Sequence, residues 1–324
     1  MSTPTSLPYV TLDVFTTSRY AGNPLGVVRI PPGNSLTQAQ KQTISREFNY
    51  SETIFIHESE DQGAAEHRID IFMTDAELPF AGHPTIGAAH ILSADQSSSS
   101  DSGIDRKIIT KAGPIPYRFD AERGMAFIEV PHDFHAHSHQ LSPEEASGAG
   151  VLASVAEKIL GPSSVVSIVK ELTFVMVELP SNEILSTVSG SIDATKLRGN
   201  LDHPWFTGGL LGTWYFVNNG RKEDGTVQIN ARMVTNLGTL EDPATGSAAS
   251  AFSVYWAKKV LSEGGKSASD GSSVTTSFEI KQGVDMGRPS EISTEVELEK
   301  GTGDVKRVVL GGSAVRVMKG EIVI

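Results

Sequence analysis

A histidine stands where a helix of small and apolar residues is expected to begin, in ELPFAGHPTIGAAH at residues 77–90. Pro84 is tolerated close to a helix start because the N–H that it lacks would have no partner there. The first N–H groups of a helix carry a partial positive charge, and Gly82 lets a ligand approach the backbone. We therefore expect this helix start to bind an anionic small molecule, such as a carboxylate, beside His83.

A second helix start of the same character is expected in LEDPATGSAASAF at residues 240–252. Asp242 precedes a proline there, in the place that the histidine holds in the first stretch. Gly246 again permits close approach of a ligand, and Ser247 can donate a hydrogen bond from the first turn. These residues are therefore predicted to bind substrate.

Alignment of the two stretches on Pro84 and Pro243 places His83 on Asp242 and indicates an internal repeat. The order of expected strands and helices before the two motifs is similar. We expect the two helix starts to face each other across a cleft between two halves of the chain and to hold one ligand together.

The elements that position these motifs predict an α+β fold with two pseudo-symmetric domains. Both motif helices are apolar on nearly every side, so each must be buried, and short strands with antiparallel connections surround them. Each domain is therefore expected to be a curved, mostly antiparallel or mixed sheet wrapped around a central helix. The first comprises residues 1–132, completed by a C-terminal strand at 314–324, and the second comprises residues 133–313.

Glu52 is the carboxylate that we expect to move protons. It begins a strand whose next residues include Ile54, Phe55 and Ile56. A carboxylate beside an apolar sheet tends to have a raised pKa, which suits a general acid/base near neutral pH. The matching position in the second half lies close to Thr213, which cannot exchange protons usefully, so one strong acid/base is expected.

Composition excludes several classes of protein. The chain has 324 residues, a formal net charge of −12 and no cysteine. Without cysteine there can be no thiolate nucleophile, redox dithiol or iron–sulfur cluster. The acidic balance argues against nucleic acid and acidic membranes as partners, and no apolar run is long enough to span a bilayer. The N-terminus lacks the pattern of a secretory signal, so a cytoplasmic location is expected.

Two weaker signals remain. The run PHDFHAHSHQ places four histidines between His132 and His139, a density that can bind zinc or nickel. Because the run lies within an expected interdomain linker, His132–Gly150, we expect a solvated segment and no metal site. Arg288, in GRPS, is either an anion-binding residue or part of a turn held by Pro289.

Several stretches of the chain resemble the PhzF-like phenazine-biosynthesis family, which shares the diaminopimelate epimerase fold. They run in order over almost the whole chain, and the pairing of AGHPT with EDPATGSA is the most specific part. The stretches are DVFTTSRYAGNPLGVV (13–28), SETIFI (51–56), ELPFAGHPTIGAA (77–89), EDPATGSAA (241–249), QGVDMGRPS (282–290) and LGGSAVRV (310–317).

The resemblance implies two pseudo-symmetric halves, each with a helix inside a curved sheet, and often a homodimer. It implies that Glu52 is the residue that transfers the proton. His83, Asp242 and Ser247 match the family's other active-site positions, and Gly82 lies where backbone amides meet the ligand.

A cofactor-independent isomerase is the function that we expect from the residues and the resemblance together. Related racemases use two cysteines at the two helix starts, which this chain lacks. Single-base chemistry remains, in which Glu52 takes a proton from one carbon and returns it to another. The namesake enzyme of the family acts on a dihydro-hydroxyanthranilate, so a small, cyclic, carboxylated substrate is expected. An epimerase with a non-cysteine partner, and a catalytically silent binding protein of the same fold, are the alternatives.

Overall fold

The fold is described from a computed structural model of the chain. It describes residues 6–61, 63–95, 106–147, 158–192, 197, 199–235, 240–263 and 272–324. The chain divides into two compact units, the first formed by Met1–Glu129 and Leu310–Ile324 and the second by Val130–Val309. No helix among the described residues is long and apolar enough to cross a membrane.

The described residues of the first unit form two helices and nine strands. The helices are α1 (Gln38–Phe48) and α2 (Gly82–Asp95). The strands are β1 (Ser6–Val14), β2 (Asn23–Ile30), β3 (Glu52–His57), β4 (Glu66–Phe72), β5 (Glu77–Leu78), β6 (Arg106–Thr110), β7 (Gly113–Asp120), β8 (Met125–Glu129) and the C-terminal β18 (Ala314–Val323).

The strands of the first unit form a mixed sheet in the order β18–β1–β2–β3–β4–β6–β7–β8, with β5 also paired to β4. The pairs β2–β3 and β4–β6 are parallel and the others are antiparallel. Parallel neighbours need a crossover connection, and α1 and α2 provide the two crossovers.

The two helices of this unit lie in different surroundings. Thr37 caps the start of α1 in a capping box with Gln40, and Asn49 ends the helix in a left-handed conformation. In contrast, α2 contacts most strands of the sheet, and its apolar residues are buried on every side. The central helix of the first half is therefore α2.

The second unit repeats this plan. Its helices are α3 (Pro143–Ser147), α4 (Asn182–Leu185) and α5 (Gly246–Glu263). Its strands are β9 (His135–Leu141), β10 (Ser163–Val169), β11 (Leu172–Glu178), β12 (Leu210–Arg221), β13 (Val227–Thr235), β14 (Glu241–Asp242), β15 (Ser273–Gln282) and β16 (Ser290–Glu299), followed by β17 (Val305–Gly312), which ends in the first unit.

Strand pairing in the second unit follows the order β9–β10–β11–β12–β13–β15–β16. Again two pairs are parallel, β11–β12 and β13–β15, and again a two-residue strand, β14, pairs with the strand before the central helix. The helix α5 packs Phe252 and Trp256 into this sheet. The expected α+β class, with two similar halves that each hold a central helix, is confirmed, while the domain limits themselves remain a prediction.

The structure corrects the alignment of the repeat. Each central helix begins at the fourth residue after its short strand, Gly82 after Leu78 and Gly246 after Asp242. The residue that corresponds to His83 is therefore Ser247, and Asp242 lies before the helix. Alignment on Pro84 and Pro243 was wrong by five positions. The feature that the two halves share is the spacing Glu-x-Pro-x-x-Gly, in which Pro79 corresponds to Pro243.

The prediction of a linker over His132–Gly150 was also wrong. Residues 135–141 form β9, which pairs antiparallel with β10, and α3 follows directly. Residues 148–150 lie outside the described part of the chain.

Candidate active site

Glu52 is the first residue of β3 and keeps 17% of its side chain exposed. The residues that follow it, Thr53 to Ile56, are almost completely buried. Its carboxylate Oε2 lies 3.2 Å from Nδ1 of His83 in the first turn of α2. The structure therefore brings two of the predicted site residues of the first half into direct contact.

The contact of the second ring nitrogen of His83 limits the protonation states that this pair can adopt. Nε2 lies 3.3 Å from the carbonyl oxygen of Pro24, and a carbonyl can only accept a hydrogen bond. We therefore assign the Nε2 proton to this contact. Nδ1 and Glu52 then need a proton on one of them to form a hydrogen bond, either as glutamate with imidazolium or as glutamic acid with neutral imidazole.

The packing of α2 against β2 holds His83 in this position. Leu25 pairs in parallel register with Glu52, so the carbonyl of Pro24 lies one residue away along β2. Gly87 faces Leu25, and a Cβ at this glycine would lie 2.4 Å from Leu25 Cδ2. Only glycine therefore allows the helix to approach β2 this closely.

Burial and the histidine act in opposite directions on Glu52. Burial raises the pKa of the carboxyl group. The charge of His83 and the hydrogen bonds from His83 and Ser51 together lower it by more than burial raises it, so the pKa of Glu52 is below its ordinary value. The expectation of a raised pKa was wrong because His83 was not foreseen as a direct partner. Glu52 is therefore ionised at neutral pH.

Asp242 lies in a different local setting, in the short strand β14, where it pairs with Met233. Its Oδ2 accepts a hydrogen bond of 2.7 Å from the hydroxyl of Thr245, and its backbone carbonyl accepts one of 2.7 Å from Nε2 of Gln282. The expectation that Asp242 opens the helix was wrong, since α5 begins at Gly246. Ser247, in the first turn, is half-buried.

The second unit carries glycine at the position that corresponds to Glu52. Thr53 pairs with Phe72, which lies opposite Glu77 of β5. In the same way, Thr213 pairs with Val234, which lies opposite Glu241 of β14, so Thr53 and Thr213 correspond. Gly212 is therefore the counterpart of Glu52, and a Cβ there would lie 2.9 Å from Met233 Sδ. The second unit has no carboxylate at this position.

Sequence reasoning missed an arginine–glutamate pair beside Asp242. Arg232 donates from Nε and Nη2 to the two carboxylate oxygens of Glu241, each at 2.8 Å. Its Nη1 donates to the carbonyls of Leu185 and Ser186. The hydrogen bonds to Glu241 raise the pKa of Arg232 and keep β14 attached to the sheet. Glu241, directly before Asp242, was the residue in the sequence that could have indicated this pair.

The histidine run forms a hydrogen-bond network around Asp202. His135 Nε2 lies 2.8 Å from Oδ2 of Asp202, and Ser138 donates to the same carboxylate. Asp202 N–H in turn donates to His137 Nδ1, while His137 Nε2 contacts Ser167 Oγ at 3.0 Å. The side chains of His135, His137 and Asp202 lie close enough together to share a metal ion. However, both ring nitrogens of His137 already have hydrogen-bond partners. The run belongs to a strand, not to a solvated linker.

Comparison with known proteins gives relatives over the full length of the chain. A protein of Mesorhizobium japonicum named an uncharacterized isomerase is 31% identical, over 98% of each chain. The trans-2,3-dihydro-3-hydroxyanthranilate isomerase of Pseudomonas aeruginosa is 28% identical, over 97% of this chain and 98% of its own.

A solved structure of the Bacillus anthracis phenazine biosynthesis protein of the PhzF family superposes with a TM-score of 0.73, at 20% identity, over 98% of this chain and 99% of its own. It shows the same fold. The full-length relatives confirm the expectation that the chain is an isomerase. Since the family model described as phenazine biosynthesis-like protein matches residues 12–320, the chain belongs to the PhzC–PhzF family.

Proposed function

We propose that the chain is a cofactor-independent isomerase that moves a proton between carbons of a small carboxylated metabolite, with Glu52 as the acid and base. The observation that carries this proposal is the contact between Glu52 and His83. A carboxylate at the edge of an apolar strand is held ionised by the imidazole 3.2 Å away, which keeps it ready to accept a proton.

The first step transfers a carbon-bound proton to Glu52. The electron pair of the broken C–H bond delocalises into the adjacent unsaturated system of the substrate. While Glu52 is ionised, Nδ1 of His83 donates a hydrogen bond to Oε2 of the carboxylate, so the proton taken from carbon is carried by the other carboxyl oxygen.

In the second step Glu52 returns the proton to a different carbon on the same face. The double bond moves, no electrons are gained or lost overall, and the glutamate is restored. One carboxylate is sufficient for both steps, which agrees with Gly212 at the matching position of the second unit.

Substrate recognition is assigned to backbone amides and short polar side chains. Gly82 and Gly246 begin the two central helices, whose N–H groups favour a carboxylate. Ser247 donates from its hydroxyl, and Asp242 accepts from an amino or hydroxyl group of the substrate. A cyclic substrate similar to trans-2,3-dihydro-3-hydroxyanthranilate is the first to test, since relatives that cover the full chain are named for its isomerisation.

The test is to incubate the protein with trans-2,3-dihydro-3-hydroxyanthranilate in D₂O and to locate deuterium by NMR. An isomerase places the hydrogen on a new carbon and shifts the double bond. An epimerase would exchange and invert one carbon without moving a double bond. A silent binding protein would bind the compound with no change in the spectrum, and that result would reject the proposal for this substrate.

A further inference from the structure

A fully buried glutamine ends the strand β15. The side chain of Gln282 has no measurable exposure, yet it carries two polar groups. Burial of an amide is unfavourable unless both groups are hydrogen-bonded. Three hydrogen bonds connect it to Asp242 and Thr245, in the segment directly before α5.

These contacts fix the orientation of the amide. The backbone N–H of Thr245 donates to Oε1 of Gln282 at 3.1 Å, so this atom must be the oxygen. Nε2 uses its two protons for the carbonyl of Asp242, at 2.7 Å, and for the hydroxyl of Thr245, at 3.0 Å. The N–H of Thr245 can only donate and the carbonyl of Asp242 can only accept, so each of these two contacts alone would exclude the flipped amide.

The orientation of the amide then sets the direction of the next hydrogen bond. Because the Thr245 hydroxyl accepts from Gln282, its own proton is available for another acceptor. That acceptor is Oδ2 of Asp242, at 2.7 Å. Gln282 therefore holds both the backbone and, through Thr245, the carboxylate of Asp242.

The strand register explains why a long side chain is needed. Gln282 pairs with Ala231, and Asp242 pairs with Met233, so the two residues follow each other along the same edge of β13. The chain leaves β15 at Gly283, whose φ is +72°, and turns against the backbone of Pro243. The glutamine side chain connects the end of one strand to the start of the helix.

The first unit supplies an internal comparison. At the positions that correspond to Asp242 and Thr245 it carries Leu78 and Ala81, which offer no carboxylate and no hydroxyl. The last residue of its matching strand β6 is Thr110, whose hydroxyl donates to Gly113 instead. The combination of Gln282, Thr245 and Asp242 therefore has no counterpart at the matching positions of the first unit.

We infer that Gln282 is a positioning residue for the substrate-binding carboxylate of Asp242, and that it acts through the hydroxyl of Thr245. This inference rests on the proposed function, in which Asp242 binds an amino or hydroxyl group of the substrate. Loss of the Thr245 hydroxyl lets the carboxylate of Asp242 rotate away from the binding geometry, and loss of the Gln282 amide also releases the backbone carbonyl of Asp242.

The experiment measures kcat and KM for trans-2,3-dihydro-3-hydroxyanthranilate in Gln282→Met, Thr245→Val, Thr245→Ser and Asp242→Asn. Binding of 2-aminobenzoate, a stable aromatic analogue with the same carboxylate and amino groups, is measured in parallel by calorimetry. Gln282→Met keeps the length of the side chain without its amide, and Thr245→Val keeps the shape without the hydroxyl. Thr245→Ser is the matched control, because it retains the hydroxyl.

We expect Gln282→Met and Thr245→Val each to raise KM and the dissociation constant about 10-fold, which corresponds to about 1.4 kcal/mol. Thr245→Ser should stay within about 2-fold of wild type, and kcat should change less than KM in all three. The double variant Gln282→Met/Thr245→Val should lose less than the sum of the two single losses, because both residues hold the Asp242 carboxylate through one chain of hydrogen bonds.

Three results would reject the inference, and they separate it from the proposed function. If Asp242→Asn weakens binding but Gln282→Met and Thr245→Val lower only the melting temperature, the glutamine is merely structural. If the two losses add in the double variant, the residues do not act in series. If Asp242→Asn binds and turns over as wild type does, the assigned role of Asp242 fails and the inference fails with it.

Discussion

Nδ1 of His83 lies 3.2 Å from Oε2 of Glu52, and Nε2 of the same ring lies 3.3 Å from the carbonyl of Pro24. One imidazole thus connects the first turn of a buried helix to the start of β2 and to the carboxylate that begins β3. The carbonyl determines which nitrogen faces Glu52, so the histidine contacts the carboxylate through Nδ1.

The lowered pKa of Glu52 predicts a pH profile. A base must be ionised, and the charge of His83 holds the pKa of this carboxyl below its ordinary value of 4.5. We therefore expect kcat/KM to stay level as pH falls to about 4.5 and to decline only below it. In His83→Phe burial acts without the opposing charge, so the decline should begin at higher pH.

His90→Phe is the control for this profile. His90 lies on the same helix and contacts the ring of Phe119, not Glu52. Its variant should keep the acid side of the wild-type profile. If His83→Phe and wild type decline at the same pH, the histidine does not set the state of Glu52.

A buried ion pair predicts how stability depends on pH. Asp70 on β4 accepts from Lys41 of α1 and, at 2.7 Å, from His57. These groups outweigh the effect of burial and lower the pKa of Asp70 below its ordinary value of 3.8. Since the folded pKa is the lower one, the stabilisation is complete above pH 3.8 and is lost as pH falls through the folded pKa.

Removal of one partner of this pair should be more harmful than removal of both. Asp70→Asn leaves the ammonium of Lys41 buried and uncompensated, so we expect the free energy of unfolding at pH 7 to fall by about 3–5 kcal/mol. The double variant Asp70→Leu/Lys41→Met should recover most of this loss. Urea denaturation measures both, and an Asp70→Asn protein as stable as wild type would contradict the assignment.

The close packing of α2 against β2 predicts an unusual effect of alanine. In an exposed helix Gly→Ala is favourable by about 1 kcal/mol. At Gly87 the added methyl group would lie 2.4 Å from Leu25 Cδ2 and 3.2 Å from Val14 Cγ2. We expect Gly87→Ala to lower the free energy of unfolding by about 1–3 kcal/mol and to reduce activity by displacing His83.

Gly199→Ala is the matched control for this substitution, because a Cβ there meets no atom within 4 Å. Thermal unfolding of the two variants should differ clearly, with the control within about 0.5 kcal/mol of wild type. Equal stability of both would show that the helix can move away from β2 without loss.

Local patterns in the sequence were sufficient for much of the fold. The strand that begins at Glu52 was predicted because its signal lies in adjacent residues. The strand β7 cannot be predicted from its local sequence, because Pro114 and Pro116 indicate a break. Both prolines lie where β7 pairs only with β6, since β8 joins the strand at Tyr117, and so the missing N–H groups interrupt no second ladder.

The candidate site was predictable in its residues but not in its contacts. The motifs identified Glu52, His83 and Asp242, and the carboxylate at the start of an apolar strand was visible in the sequence. Gln282 and Arg232 are connected to the Asp242 segment only by the strand register, which no local pattern reveals. The same limitation explains the wrong pKa direction, because the histidine that lowers it is distant along the chain. The role of the site residues, a homodimer and a cytoplasmic location remain predictions.

The most direct test of the central claim is deuterium incorporation from D₂O into substrate or product by wild type, Glu52→Gln and Glu66→Gln. Glu66 also begins a strand, β4, but it is exposed, which makes it the matched control. We predict that Glu52→Gln loses at least about 100-fold in exchange rate while it still binds 2-aminobenzoate, and that Glu66→Gln exchanges as wild type does. Undiminished exchange in a folded Glu52→Gln protein would contradict the proposed chemistry.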